Sequence, residues 1–255
     1  MLEDKDIELL NETEIKNLAI NCYSCIMINR KKINYSFSFS KDNAKEVVKD
    51  LYSIVLASKN EKGKKAKHYN CYLYRLFFYD CFPYSKGEHN PKTGKFVDFS
   101  NTEEYNFKIE LFNELRRNRK VALRLGELKK QYSWTIKPSK IENIIKRIRA
   151  EKDKFIIKFN DLFEDDFILN LKQSGIDMKI AVDIASLSYK KLVDKIVLIS
   201  GDSDFVPASK IARREGIDFI LNPMGNHIGT SLEEHIDGLI NEKLICNIIK
   251  KFHDN

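Results

Sequence analysis

Lys195-Ile-Val-Leu-Ile-Ser-Gly-Asp-Ser-Asp-Phe-Val-Pro207 joins a short apolar run to a polar turn and then to a helix. The run Lys195–Ile199 has no polar alternation, the pattern of a strand covered on both faces. Ser203–Arg214 reads as a helix and Ile217–Leu221 as a further strand. Upstream, Met178–Tyr189 sets Met178, Ala181, Ile184, Ala185 and Ser188 on one helical face, and Ser231–Gly238 opens a last helical turn. Strands alternating with helices in this way predict a parallel sheet joined by right-handed crossovers.

The first half continues the pattern. Leu18-Ala-Ile20, ending at Asn21, reads as the first strand, and Lys41–Ser58 carries Val47, Val48, Leu51, Ile54 and Val55 at helical spacing. Cys71–Tyr79 is a dense aromatic strand closing on Asp80, with Pro83 soon after. The Gly-, Pro- and Asn-rich stretch from Tyr84 to Asn101 is expected to be an exposed loop. Glu103–Asn118 follows as a helix and Lys120–Leu125 as a strand stopping at Gly126. The Lys/Glu-rich segment of about 127–167 breaks the alternation and is expected to be an inserted helical region within one domain. Residues 1–14 form an extension and 241–255 a helical tail, leaving 15–240 as the domain.

Composition bounds the function. The 43% hydrophobic content supplies a core, which argues against a disordered chain. No apolar run approaches the roughly 18–20 residues that cross a bilayer, and the acidic Met1-Leu-Glu-Asp4 start is unlike a secretory leader. A cytoplasmic protein is expected. The five cysteines are an odd set without a leader, and the lone Cys22-x-x-Cys25 lacks a second pair of ligands, so buried thiols are expected there. Lys62, Lys64, Lys65, Lys67 and Arg75 form a basic run, as do Arg116, Arg117, Arg119, Lys120, Arg124, Lys129 and Lys130. Against a net charge of +7 such runs suit a polyanionic partner, although each also reads as a solvated face.

Ligands of open α/β sheets gather where parallel strands end. Ser200, Asp202, Ser203 and Asp204 follow the Lys195–Ile199 run, and Asp177 opens the helix before it. One Asp or Ser in such a turn can serve merely as a helix cap, and a lone Asp177 reads most simply as a first-turn acid. Asp183, six residues further along, reads as a paired or solvated surface acid, and Asp80 as turn chemistry. Several carboxylates converging at one sheet edge would instead call for a hard cation such as Mg²⁺, which takes oxygen ligands and water.

Ser200-Gly-Asp-Ser-Asp-Phe-Val-Pro207, preceded by Gly175-Ile-Asp-Met-Lys-Ile-Ala-Val-Asp183, resembles the NYN-domain family, the LabA-like branch of the PIN-like nucleases. Phe78-Tyr-Asp80 with Pro83, Glu88–Gly94 with Asp98-Phe99, Arg124-Leu-Gly126, and Gly225-Asn226 before Ser231-Leu232 fit in the same order, over roughly residues 15–240. The resemblance implies a three-layer PIN-like α/β fold with a mainly parallel central sheet. It also implies an acidic cluster holding Mg²⁺ or Mn²⁺, with RNA as substrate. Asp202, Asp204 and Asp177 would be the metal-holding and catalytic acids, and Ser200, Ser203, Asn226 and Ser231 would lie along the substrate.

The family's first strand usually ends in Asp, with Asn three residues on. Asn21 and Ser24 stand in those places in the register just given, making Asn21 a weakened catalytic ligand. An amide lends a carbonyl oxygen but no charge, so turnover should fall. Two functions follow: a metal-dependent ribonuclease, or a module that keeps the fold and holds RNA or a protein without the rate. The inserted segment is where a second copy or a protein partner would be expected. Dinucleotide binding is disfavoured because no G-x-G-x-x-G follows a strand, and no G-x-S-x-G marks a serine hydrolase.

Overall fold

A computed structural model of the chain describes residues 20–29, 43–59, 69–151, 158–200, 202–223 and 227–240. In chain order the elements are β1 (Ile20–Asn29), α1 (Ala44–Lys59), β2 (Tyr69–Cys81), β3 (Gly87–His89), β4 (Phe96–Asp98), α2 (Glu103–Arg117) and β5 (Val121–Ile136). Then come α3 (Pro138–Glu151), β6 (Phe167–Ser174), α4 (Ile176–Tyr189), β7 (Lys195–Ile199), α5 (Val206–Arg214), β8 (Asp218–Asn222), α6 (Thr230–Glu233) and β9 (Gly238–Leu239). They divide into two compact units, one drawn from 1–80, 110–125 and 175–255, the other from 81–109 and 126–174.

In the first unit the sheet runs β5-β2-β1-β7-β8-β9. β1 pairs in parallel with β2 and β7, β7 with β8, and β8 with β9. Ile196–Ile199 and Phe219–Leu221 are buried along their whole length, as expected of central strands with no solvent face. Ile176, Ile180, Ile184 and Leu187 line the buried face of α4 at helical spacing, and α4 packs against α5 through that unit's core. Each such side chain contributes about 1.5–3 kcal/mol by leaving water. This face is rotated from the expected one. Met178 is 69% exposed, because the four regularly spaced branched residues outcompete it for the core.

β1 departs most from expectation. It begins near the point where the first strand was expected to end, and runs on to Asn29. Its pairing explains why: Ser24 lies opposite Lys195 and Ile28 opposite Ile199, so Cys25–Ile28 is the stretch that matches the buried run of β7. Asn21 pairs with Asn70 at the opening of β2 and therefore sits at the opposite end of the sheet from the Asp202 turn. Ser24 lies within the strand. The expected register, with Asn21 at the end of the first strand as a weakened catalytic ligand, differs from that of the structure, where Asn29 holds the strand-end position.

In the second unit, residues 127–136 are strand rather than the expected insert of helices alone. β5 and β6 pair antiparallel from Glu127 opposite Ser174 to Ile136 opposite Phe167, with α3 between them in sequence. Leu128, Tyr132, Trp134 and Ile136 recur at even spacing, a period-two signal hidden by the lysines among them. The expected loop at Tyr84–Asn101 contains the antiparallel hairpin β3–β4. Asn90 makes its turn: the Asn90 N–H donates to Lys95 O at 2.9 Å, the Gly94 N–H to Asn90 O at 2.8 Å, and the Lys92 N–H to Asn90 Oδ1 at 2.8 Å. Gly94 adopts φ +69°, which an L side chain rarely tolerates. Tyr84 meets Phe99 edge-on with centroids 5.6 Å apart, and Phe99 meets Trp134 at a tilt with centroids 6.2 Å apart.

Glu88 on β3 accepts from Lys130 Nζ at 2.6 Å and from the Tyr84 hydroxyl at 2.7 Å. The Lys130 contact, followed by Tyr84, holds the Glu88 carboxyl below the usual carboxylate range. Burial, reinforced by Glu88, pushes the Tyr84 phenol up to about 12. A depressed carboxyl stabilises the fold above its unfolded pKa and loses that contribution as pH falls through the folded value. Amide exchange across β3–β4 is therefore expected to accelerate below the usual carboxylate pKa in the parent chain, and to show no such step in Glu88→Gln. An identical acid step in both proteins would refute the assignment.

Candidate functional site

The carboxyl edge of β7 builds the site. Ser200 is buried, and its Oγ accepts from the Asp202 N–H at 3.4 Å. Asp202 is half-buried and extended (φ −85°, ψ 128°), and it caps a 3-10 turn over Ser203–Phe205 by accepting the Asp204 N–H at 3.4 Å. Phe205, fully buried, anchors this turn, and Pro207 starts α5 where its missing N–H is not needed. Anchored from beneath, the turn leaves Asp204 and Ser203 exposed. At 3.4 Å the cap is long for an N–H···O bond.

α4 and α6 both pack against the turn. Gly175 enters α4 in the left-handed region (φ +82°), and Asp177 follows in the first helical turn with its side chain exposed. Gly229 lies so close to the turn that a Cβ there would meet Ser203 Cβ at 3.4 Å and Ser231 Oγ at 4.0 Å. The fold thus gathers Ser203 and Ser231 about Gly229, with Asp202 and Asp204 in the same turn as Ser203. Asn226 lies outside the described residues. Asn29, one residue beyond the Ile28–Ile199 pairing, comes level with Ser200.

Two acids behave differently from the turn. Asp80 is 3% exposed and lies inside β2 rather than in a turn, one residue after Tyr79, which pairs with Asn29. Asp183 accepts from the Tyr79 hydroxyl at 2.9 Å and from Arg124 Nε at 3.0 Å, the paired state its sequence position suggested. Sequence reasoning did not place Asn29 at the end of β1. Only the register of β1 against β7 could find it.

Among the described residues, no three His, Cys, Asp or Glu side chains gather as a metal-holding group. A preformed all-protein cage is therefore not built from them. Asp202 and Asp204 nevertheless suit a hard cation by donor type, since Mg²⁺ is commonly held by one or two carboxylates while water and substrate phosphates fill the remaining positions. The turn is open to solvent, as that mode of binding demands.

The NYN domain family model matches residues 92–240, more than half of the chain. Among solved structures the chain is similar to a Vibrio parahaemolyticus protein of unknown function, with 13% identity and a TM-score of 0.38 over 86% of this chain and 91% of that one. It is also similar to a Sir2-p53 peptide-NAD+ complex, with 9% identity and a TM-score of 0.33 over 100% and 98%. Likenesses this slight carry no argument about function. No curated protein matches the chain. No helix among the described residues is long and apolar enough to cross a membrane.

Proposed function

The chain belongs to the NYN-domain family, and we propose that within it this protein is a ribonuclease that hydrolyses RNA phosphodiester bonds with Mg²⁺ or Mn²⁺. The observation that carries this reading is the solvent-open turn on which Asp202 and Asp204 stand at the carboxyl edge of β7. Asp202 and Asp204 would hold the ion, with Asp177 contributing from the first turn of α4. A divalent ion so held lowers the pKa of bound water and offsets charge on the phosphate. The chain's own part is to orient and to attract. The Ser200 hydroxyl and the Asp204 amide fix Asp202, Ser203 and Ser231 offer hydroxyls to a phosphate or ribose, and the basic runs draw the polyanion in.

The same proposal includes the LabA-like branch, a cytoplasmic location and three layers. Right-handed crossovers from β1 to β2 and from β7 to β8 advance in opposite directions along the sheet, so α1 and α5 belong on opposite faces.

A second reading, a module that holds RNA with little turnover, is favoured by one specific feature: β1 ends in Asn29, an amide, where the family usually places Asp. Incubating the purified chain with labelled single-stranded and structured RNA in Mn²⁺, Mg²⁺ or EDTA separates the two. The first reading expects cleavage with either ion and none in EDTA. Tight binding without cleavage would select the second, and neither binding nor cleavage would refute both.

A further inference from the structure

We infer that the cavity between β5 and the start of α4 is a phosphate subsite for the RNA backbone, with the Arg124 guanidinium as its ligand. This rests on the reading that the protein acts on RNA, and it adds a contact that the Asp202 turn does not itself supply. The cavity, of about 410 Å³, is lined by Leu123, Arg124, Leu125, Met178, Lys179, Val182 and Asp183. Its charged groups are two cations and one acid, a net of +1.

Arg124 is held from two sides. Its Nε donates to Asp183 Oδ2 at 3.0 Å, and its Cζ lies 5.2 Å from the Phe77 ring centroid. Asp183 is itself fixed, accepting the Tyr79 hydroxyl at 2.9 Å on the same oxygen. Tyr79 and Phe77 stack at 6.3 Å, so the support beneath the guanidinium is continuous. Asp183 and Tyr79 are positioning residues in this scheme. Only Nε of Arg124 is engaged, and among the described residues the Nη groups have no hydrogen-bond partner.

A structural ion pair would be expected to use the fork on the carboxylate, since bidentate Arg–carboxylate pairing is the stronger arrangement. Here the carboxylate takes Nε and leaves the Nη edge on a side chain that remains 41% exposed. That edge matches two oxygens of a phosphate, and its orientation is fixed before the ligand arrives, which reduces the ordering cost of binding. Lys179 lines the same cavity and donates its Nζ to Leu125 O, adding positive charge without competing for the guanidinium.

The test is fluorescence anisotropy of a short fluorescein-labelled oligouridylate with the full chain, in EDTA to keep cleavage silent, across a series of KCl concentrations. Arg124→Gln is expected to weaken binding about tenfold, the worth of one charge-assisted pair. It should also reduce the slope of log affinity against log salt by about 0.7, the value for one phosphate on a single strand. Arg124→Lys should keep the slope but recover only part of the affinity, because a mobile point charge replaces a fixed fork. Should Arg124→Gln unfold by stranding Asp183, the double variant Arg124→Gln/Asp183→Asn removes both charges and is expected to show the same losses. Parent-like affinity and slope in the folded variants overturn the subsite while leaving the RNA reading intact. No RNA binding by the parent chain refutes that reading and the subsite with it. Displacement of the RNA by polyglutamate through Arg124 would instead make the occupant an acidic protein, and would likewise overturn the phosphate assignment.

Discussion

Asp202→Asn is expected to lower metal-dependent RNA cleavage on the order of 10³-fold, about 4 kcal/mol of transition-state stabilisation, while shifting folding stability by less than about 0.5 kcal/mol. The contrast is the point of the substitution. Asp202 caps the Ser203–Phe205 turn through a 3.4 Å bond from the Asp204 N–H, and Asn accepts such a bond as well as Asp does. The cap therefore survives while the charge is lost. Were Asp202 a cap and nothing more, cleavage would not change. Single-turnover cleavage rates in Mn²⁺, read beside thermal unfolding, separate the two roles. A variant that cuts like its parent removes Asp202 from the chemistry. Asp204→Asn is expected to lose less, since its exposed side chain has the freedom to be replaced by water at the ion.

How much of this was legible in the sequence depends on burial. Lys195–Ile199 appears in the structure with the boundaries read from its residues, because a short apolar run bounded by polar turns has few other fates. The helix across Met178–Tyr189 was equally plain, yet its buried face was misplaced, since apolar residues occur on more than one side of it. β1 failed for a different reason. A strand without a clear polar alternation in its sequence has its end inferred from the first polar residue after the apolar stretch. Ile-Asn occurs at residues 20–21 and again at 28–29, and local sequence gives no ground for preferring the later pair. Only the pairing with β7 does. In the second unit, lysines along β5 concealed a two-residue period that pairing with β6 makes obvious. The Arg124–Asp183–Tyr79 arrangement joins residues 59 and 104 positions apart, a separation no motif spans.

The register of β1 turns the missing charge into an experiment with an internal control. Asn29→Asp is expected to tighten Mn²⁺ binding about ten- to a hundredfold and to raise cleavage, whereas Asn21→Asp should do neither. Asn29 comes level with Ser200, two positions before Asp202, on the strand adjacent to β7. A carboxylate added within about 5–6 Å of a cation gains roughly 3 kcal/mol per unit of charge at an effective dielectric near 20, before the desolvation that offsets part of it. Asn21 precedes Asn29 by eight positions on the same strand. At about 3.3 Å per residue that is roughly 26 Å, well beyond the Debye length of about 8 Å at physiological salt. A charge placed there cannot help hold an ion at the Asp202 turn. Calorimetric titration of Mn²⁺ into RNA-free protein reads the affinity directly, and cleavage rates at saturating ion then show whether the added carboxylate also aids the reaction. Gain from Asn21→Asp, or no gain from Asn29→Asp, would mean that the ion is held somewhere other than the carboxyl edge of β1 and β7.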